Sequence, residues 1–258
     1  MNRFLVVVAT FFKEWKTTVT GWPYVLKIFG DATRTAALAW IIFQSGDREI
    51  LAYLCIGLPL FAIWTGVIGF GGWSLEEELY GKTMDFILIS PTRLPIILFG
   101  KTLGQVSHEF PSGIVSFGVI LLVVRAMPEV SNIGLFVLSL PLAVIGLAVM
   151  SHFLAALVVM VEGQAGFFMG IIALFAVLNG FILPVGSLPG ALEPVARLLP
   201  AAWAMESVWH SIQGAGAGLI LRGWIMAVAL SVVWFMITYY LCRIVERRIR
   251  VKATLGMQ

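Results

Sequence analysis

Four stretches of this chain run for twenty residues or more without Asp, Glu, Lys or Arg: 50–75, 130–161, 163–192 and 223–242. The hydrocarbon core of a bilayer, roughly 30 Å thick, is crossed by about 20 apolar residues wound as a helix. A fifth run, 110–124, is clean for fewer residues but extends back through 102–109 with one carboxylate and one histidine. Five membrane spans follow from run length alone. Composition agrees, with 60% hydrophobic and 12% charged residues. Soluble domains carry about twice that charge, so this chain lacks the polar surface to wrap a water-soluble globule.

A sixth span, 24–43, is less plain, because Lys27, Asp31 and Arg34 interrupt it. Spacings of four and three put these three charges on one helix face, where they can pair. Two readings stand: the charges snorkel at the interface, or they form a polar face buried against another helix or a cavity. Charge asymmetry favours a crossing. Residues 243–252 hold five basic side chains and one Glu, which places the C-terminus in the cytoplasm. With six spans, eleven Lys and Arg face inward (Arg3, Lys13, Lys16, Lys82, Arg93, Lys101, Arg243, Arg247, Arg248, Arg250 and Lys252) and four face outward (Arg48, Arg125, Arg197 and Arg222). The net charge of +3 follows from this asymmetry and implies no nucleic-acid partner. Both termini are expected inside, and spans are expected at about 24–43, 50–73, 102–124, 134–160, 165–185 and 223–242. Residues 1–22 read as an amphipathic interfacial helix, with Trp15 and Trp22 at headgroup level. Cys55 and Cys242 suggest no disulfide framework.

Two connections stand out. After the second span, Ser74 and Glu77 fit a capping box, and Glu76, Glu77 and Glu78 suit the positive end of a helix dipole. Pro91 stops that helix, giving an expected amphipathic helix over 74–90, acidic first and apolar later through Met84 and Phe86. Before the last span, Pro184, Pro189, Pro194 and Pro200 recur too often for one helix. The stretch is nonetheless apolar, so short helices dipping into the outer leaflet are expected, with Glu193, Arg197, Glu206 and His210 near water.

Several chemical motifs are excluded. Gly-Lys-Thr at 81–83 and 100–102 lacks the Gly five positions upstream that a phosphate loop needs; Glu76 and Pro95 stand there. His108, Glu109, His152, Glu162 and His210 are scattered, without metal-site spacing, so no catalytic or metal site is expected. His108 and Glu109 are expected in a cytoplasmic extension of the third helix, in contact with water. In the fifth span Phe168, Phe175 and Asn179 share one face, and a mid-membrane Asn argues that this face meets protein or a cavity.

Taken in order, EEELYGKTMDFILISP (76–91) followed by Gly100-Lys101, and FILPVGSLP (181–189) followed by Leu199-Pro200 and Glu206, resemble the ABC type-2 permease family, the membrane halves of ATP-driven exporters. The resemblance implies one all-α membrane domain over 1–258, with six transmembrane helices, an N-terminal interfacial helix, a cytoplasmic coupling helix and re-entrant outer helices. Ser74, Glu76, Glu77, Glu78, Gly81, Thr83, Met84, Phe86 and Pro91 would dock in a separate ATPase, two of which serve each complex. ATP and Mg would reside on that partner, and this chain would be no enzyme. A second permease, identical or related, would pair with it. Lys27, Asp31, Arg34, Phe168, Phe175 and Asn179 would lie along the path or the dimer seam, and Pro184, Pro189, Pro200 and Glu206 in the outer segment. An apolar, aromatic lining would suit drugs, lipids or peptides crossing a bacterial plasma membrane. The alternatives are a channel or facilitator working without ATP, and a lipid-modifying membrane enzyme.

Overall fold

A computed structural model of the chain describes residues 3–46, 48–80, 93–125, 130–160 and 165–255. Its helices are α1 (Arg3–Val19), α2 (Trp22–Ser45), α3 (Arg48–Tyr80), α4 (Leu94–Val124), α5 (Ile133–Met160), α6 (Ala165–Leu178), α7 (Glu193–Ala196), α8 (Pro200–Gln213) and α9 (Ala217–Leu255). No strand occurs among the described residues. That follows from the solvent, since a helix satisfies its backbone polar groups internally whereas a lipid-exposed sheet edge cannot.

Among the described residues, four segments are long and apolar enough to cross a membrane: Ile50–Ile68, Leu94–Val124, Ile133–Leu157 and Ala217–Ile244. α2 has the length, at 24 residues, but carries Lys27, Asp31 and Arg34. α6 has the apolarity but, at 14 residues, rises only about 21 Å. The fifth expected span therefore ends its helix at Leu178 rather than near 185.

α3 is the central post. Of its apolar window 78% is buried, against 22–39% for the other three. Leu54, Leu58 and Trp64 on it are fully enclosed. α2, α4, α5 and α6 surround it, and α9 closes the far side against α5 and α8. Side chains turned outward from α5 and α9, such as Ile133, Val137, Ile225 and Val232, are apolar and exposed. A bundle dissolved in lipid has no reason to hide them.

Glycines set the closest helix approaches. A Cβ on Gly57 of α3 would collide with the Phe181 carbonyl, and one on Gly146 of α5 would lie 2.9 Å from Ala201 of α8. α8 is thereby wedged between α5 and α9, with Ala201, Ala202, Ala204, Met205 and Val208 buried. The prolines do as expected in breaking 184–200 into short pieces. Pro184 precedes a single 3-10 turn, Val185–Ser187, and Pro194 and Pro200 occupy the first turns of α7 and α8. Pro needs no N–H partner there.

The acidic connection differs from expectation. α3 continues unbroken through Ser74, Glu76, Glu77 and Glu78 to Tyr80, so Ser74 caps no new helix. A Ser caps only where the preceding backbone has left the helix. Gly71 and Gly72 cost only about 1 kcal/mol each in a helix, and α3 runs through them. For those four acidic-segment residues only the backbone course is described. Gly81, Thr83, Met84, Phe86 and Pro91 lie outside the described residues.

Candidate functional site

The three charges of α2 form one end of a buried polar cluster. Lys27 forms an ion pair with Glu109 of α4, and its Nζ lies 3.4 Å from Asp31 Oδ2. Asp31 Oδ1 accepts a hydrogen bond from Arg34 Nη2 at 2.9 Å, and Oδ2 accepts one from Ser112 Oγ at 2.9 Å. Arg34 also donates to Thr65 Oγ1 on α3 at 2.9 Å and lies 5.3 Å above the Phe61 ring. Tyr24 donates its hydroxyl proton to the His108 carbonyl. Gly66 of α3 makes room for the cluster, since a Cβ there would strike both the Glu109 carboxylate and the Lys27 ammonium.

Two cations and two carboxylates, written as ions, balance. That balance is the physical condition for keeping them in the bundle, because a lone buried ion costs several kcal/mol. The cluster ties α2, α3 and α4 together at one level. His108 and Glu109 are fully buried there, which corrects their expected place in water. The reason is length: the third helix begins at Leu94 rather than near 102, so these residues fall in its middle. Arg34 alone keeps a partly open side chain, 43% exposed.

A second polar contact joins α1 to α4. Glu14 Oε1 accepts from Gln105 Nε2 at 3.1 Å, and Glu14 Oε2 lies 3.8 Å from Lys101 Nζ. Gly100 and Gly104 let α1 approach, with Thr10 and Val7 over the first and Glu14 and Phe11 over the second. Sequence reasoning missed these residues. Gly100 enters the sequence reading only through an excluded phosphate loop and the family signature, although Gly-x-x-x-Gly in an apolar helix is a helix-contact pattern. Nearby, Thr102 Oγ1 and His152 Nδ1 are 3.2 Å apart, and His152 stacks on Phe235.

At the opposite end, α6 stops where Gly180 takes φ 76°, a left-handed backbone that favours glycine. Tyr53 of α3 donates to the Gly180 carbonyl, and Trp64 Nε1 donates to the Ile172 carbonyl at 3.3 Å. Phe181 is fully buried beside Trp64. Asn179 therefore sits at the end of α6 rather than mid-helix, its N–H still bonded to the Phe175 carbonyl at 2.8 Å. Among the described residues its buried side-chain amide has no hydrogen-bond partner. Phe175 is half-buried against the core. The side chain of Phe168 lies outside the described residues.

In the proline-rich stretch before α9, Arg197 bridges Glu206 of α8 and Glu193 of α7, the latter at 3.3 Å. Burial opposes its charge, but the bonds to Glu206 and Glu193 outweigh that and raise its pKa further. Trp203 donates to the Arg197 carbonyl at 2.8 Å, and the Arg197 guanidinium lies 4.8 Å from the Trp203 ring. A cavity of about 250 Å³ opens beside them, lined also by His210 and Arg222. Pro184 and Pro189 thus lie in the turns between α6 and α7, and Pro200 and Glu206 on α8, which packs against α5 and α9.

A search of curated proteins returned no match. The model of the ABC-2 type transporter family matches residues 6–212, which takes in most of α1 through nearly all of α8, the buried cluster and the proline-rich stretch. On that match, over most of its 258 residues, the chain belongs to the ABC-2 type transporter family.

Proposed function

We propose that this chain is the permease subunit of an ATP-driven exporter, making six crossings with both termini in the cytoplasm. It works with two separate ATPase subunits that hold ATP and Mg, and with a second permease of the same or a related kind. Membership of the transporter family is the observation that carries this reading. The cargo is a hydrophobic or amphipathic molecule such as a drug, lipid or peptide. The apolar and aromatic composition of the spans supports that choice.

The course of α3 supports a lever mechanism. It is one helix of 33 residues, about 50 Å long, running to the acidic stretch that ends at Tyr80. Its Tyr53 and Gly57 grip the turn after α6, and its Thr65 and Gly66 touch the charged cluster. A push from an ATPase on residues 74–91 would therefore reach the α2–α4 cluster and the turn after α6 through one continuous helix, which carries Pro59 between its two grips. Transport then requires that the cargo bind inward and outward states with different affinity.

The test is to express the chain with an ATPase encoded beside it and purify through a tag on the permease. The ATPase should co-purify with the unaltered chain, and its hydrolysis should rise with cargo. Glu77→Lys and Phe86→Ala should each reduce its recovery at least tenfold while leaving the permease in the membrane. Full recovery with both variants, or transport by the permease alone, sinks the proposal.

A further inference from the structure

Two cavities meet at the end of the bundle where α4 begins. The polar one, of about 390 Å³, is lined by Arg93, Tyr240, Arg243, Glu246 and Arg247. The apolar one, of about 330 Å³, lies between α1, α4, α5 and α9, with Ile96, Phe99 and Phe235 on its walls and His152 on its floor. Arg93 borders both. Tyr239 holds the junction: Arg93 Nη1 donates to its hydroxyl at 3.1 Å, and the Arg243 guanidinium lies 5.5 Å from its ring.

Among the described residues, none of Arg93, Arg243 and Arg247 forms an ion pair. Among the described residues that line the polar cavity, three guanidinium groups stand against the single carboxylate of Glu246, an excess of two positive charges. All three side chains are exposed, so the anion drawn to this excess is either a soluble one or a lipid headgroup. The position decides between them. The apolar window of α9 ends at Ile244, so this cavity sits where hydrocarbon gives way to headgroups, beside Tyr239 and Tyr240 at belt level. A soluble anion would need no apolar annex, and the annex is lined by the exposed side chains of Phe4 and Phe235, which put it on a face that meets lipid.

We propose that this junction binds one anionic phospholipid. Its phosphate lies between Arg93 and Arg243, with Arg247 above, and one acyl chain enters the groove along Ile96, Phe99 and Phe235. The lipid would clamp α9 to the start of α4, and so to the residues that follow the acidic connection. The site stands whatever the chain transports.

Native mass spectrometry of the purified full-length chain tests this. Palmitoyl-oleoyl phosphatidylglycerol is titrated against phosphatidylcholine with the same acyl chains, and glycerol 3-phosphate serves as the chain-free headgroup. One phosphatidylglycerol should bind at least tenfold more tightly than phosphatidylcholine. The double variant Arg93→Gln with Arg243→Gln should erase that preference. Arg93→Lys with Arg243→Lys, which keeps the charges, should retain most of it and so separates loss of the site from loss of the fold. Phe99→Ala with Phe235→Ala should weaken both lipids. Equal binding of the two lipids by the unaltered chain would overturn the proposal. So would an undiminished preference in the glutamine variant, or saturation of the site by glycerol 3-phosphate at the same concentration as the lipid.

Discussion

Lys27 and Glu109 are 82 residues apart in the chain and form an ion pair inside the bundle. Removing either one leaves the other charge without its closest partner, at a cost of about 3–5 kcal/mol in a buried site. Lys27→Met and Glu109→Met should each lower stability by an amount of that order, read from unfolding in mixed micelles with rising dodecyl sulfate. The double variant should cost clearly less than the two added together, because neither ion is then stranded. Simple additivity would show that the pair is not coupled. Half of this was legible beforehand. The spacing of Lys27, Asp31 and Arg34 announced a shared face, but nothing local named Glu109, Ser112 and Thr65 as what that face would meet. His108 and Glu109 were misplaced for the same reason. A carboxylate near the start of an apolar run reads as wet unless an opposite charge from another helix is known to reach it.

Among the elements, α1 shows how a helix that looks merely interfacial is held. Val6, Thr10 and Glu14 recur every four residues and face α4, while Phe12 and Lys13 turn outward. The smoothness of α4 at Gly100 and Gly104 sets the distance between the two backbones. Gly104→Ile should push α1 off, and overpacking of this kind costs about 1–3 kcal/mol. Hydrogen exchange over residues 3–19 should then quicken by tenfold or more, with exchange in α9 unchanged. Gly118→Ala in the same helix meets no atom within 4 Å and should leave both unchanged. The pattern at Gly100 and Gly104 was present in the sequence, though a pair of glycines states only that something comes close. The length of α3 was less legible. Ser74 and Glu77 have the right types for a cap, but a cap also requires a break before it, and the stretch through Trp73 has none.

At the scale of the molecule, the proposed six-crossing arrangement makes a direct prediction about labelling. Single cysteines introduced at Gly46, Asn132 and Pro189 into a Cys55→Ala, Cys242→Ala background should react with an impermeant maleimide from outside intact cells. Cysteines at Arg3 and Lys252 should react only after the membrane is opened. If Gly46 is closed from outside, α2 does not cross, and the count falls. The solvent of the fold and its helical class were determined by sequence alone, because transfer of an apolar run into lipid depends on run length and composition, which are local properties. Position within the bundle was not. Four apolar segments are similar in hydropathy, from 1.5 to 2.5, yet one is 78% buried and the others lie at 39% or less. Apolar side chains gain little from facing protein rather than lipid, so hydropathy cannot rank them. Close packing at Gly57, Gly66 and Gly146, together with the pairing of a few charges from distant helices, decided which segment became the centre. Those contacts exist only once the chain is folded.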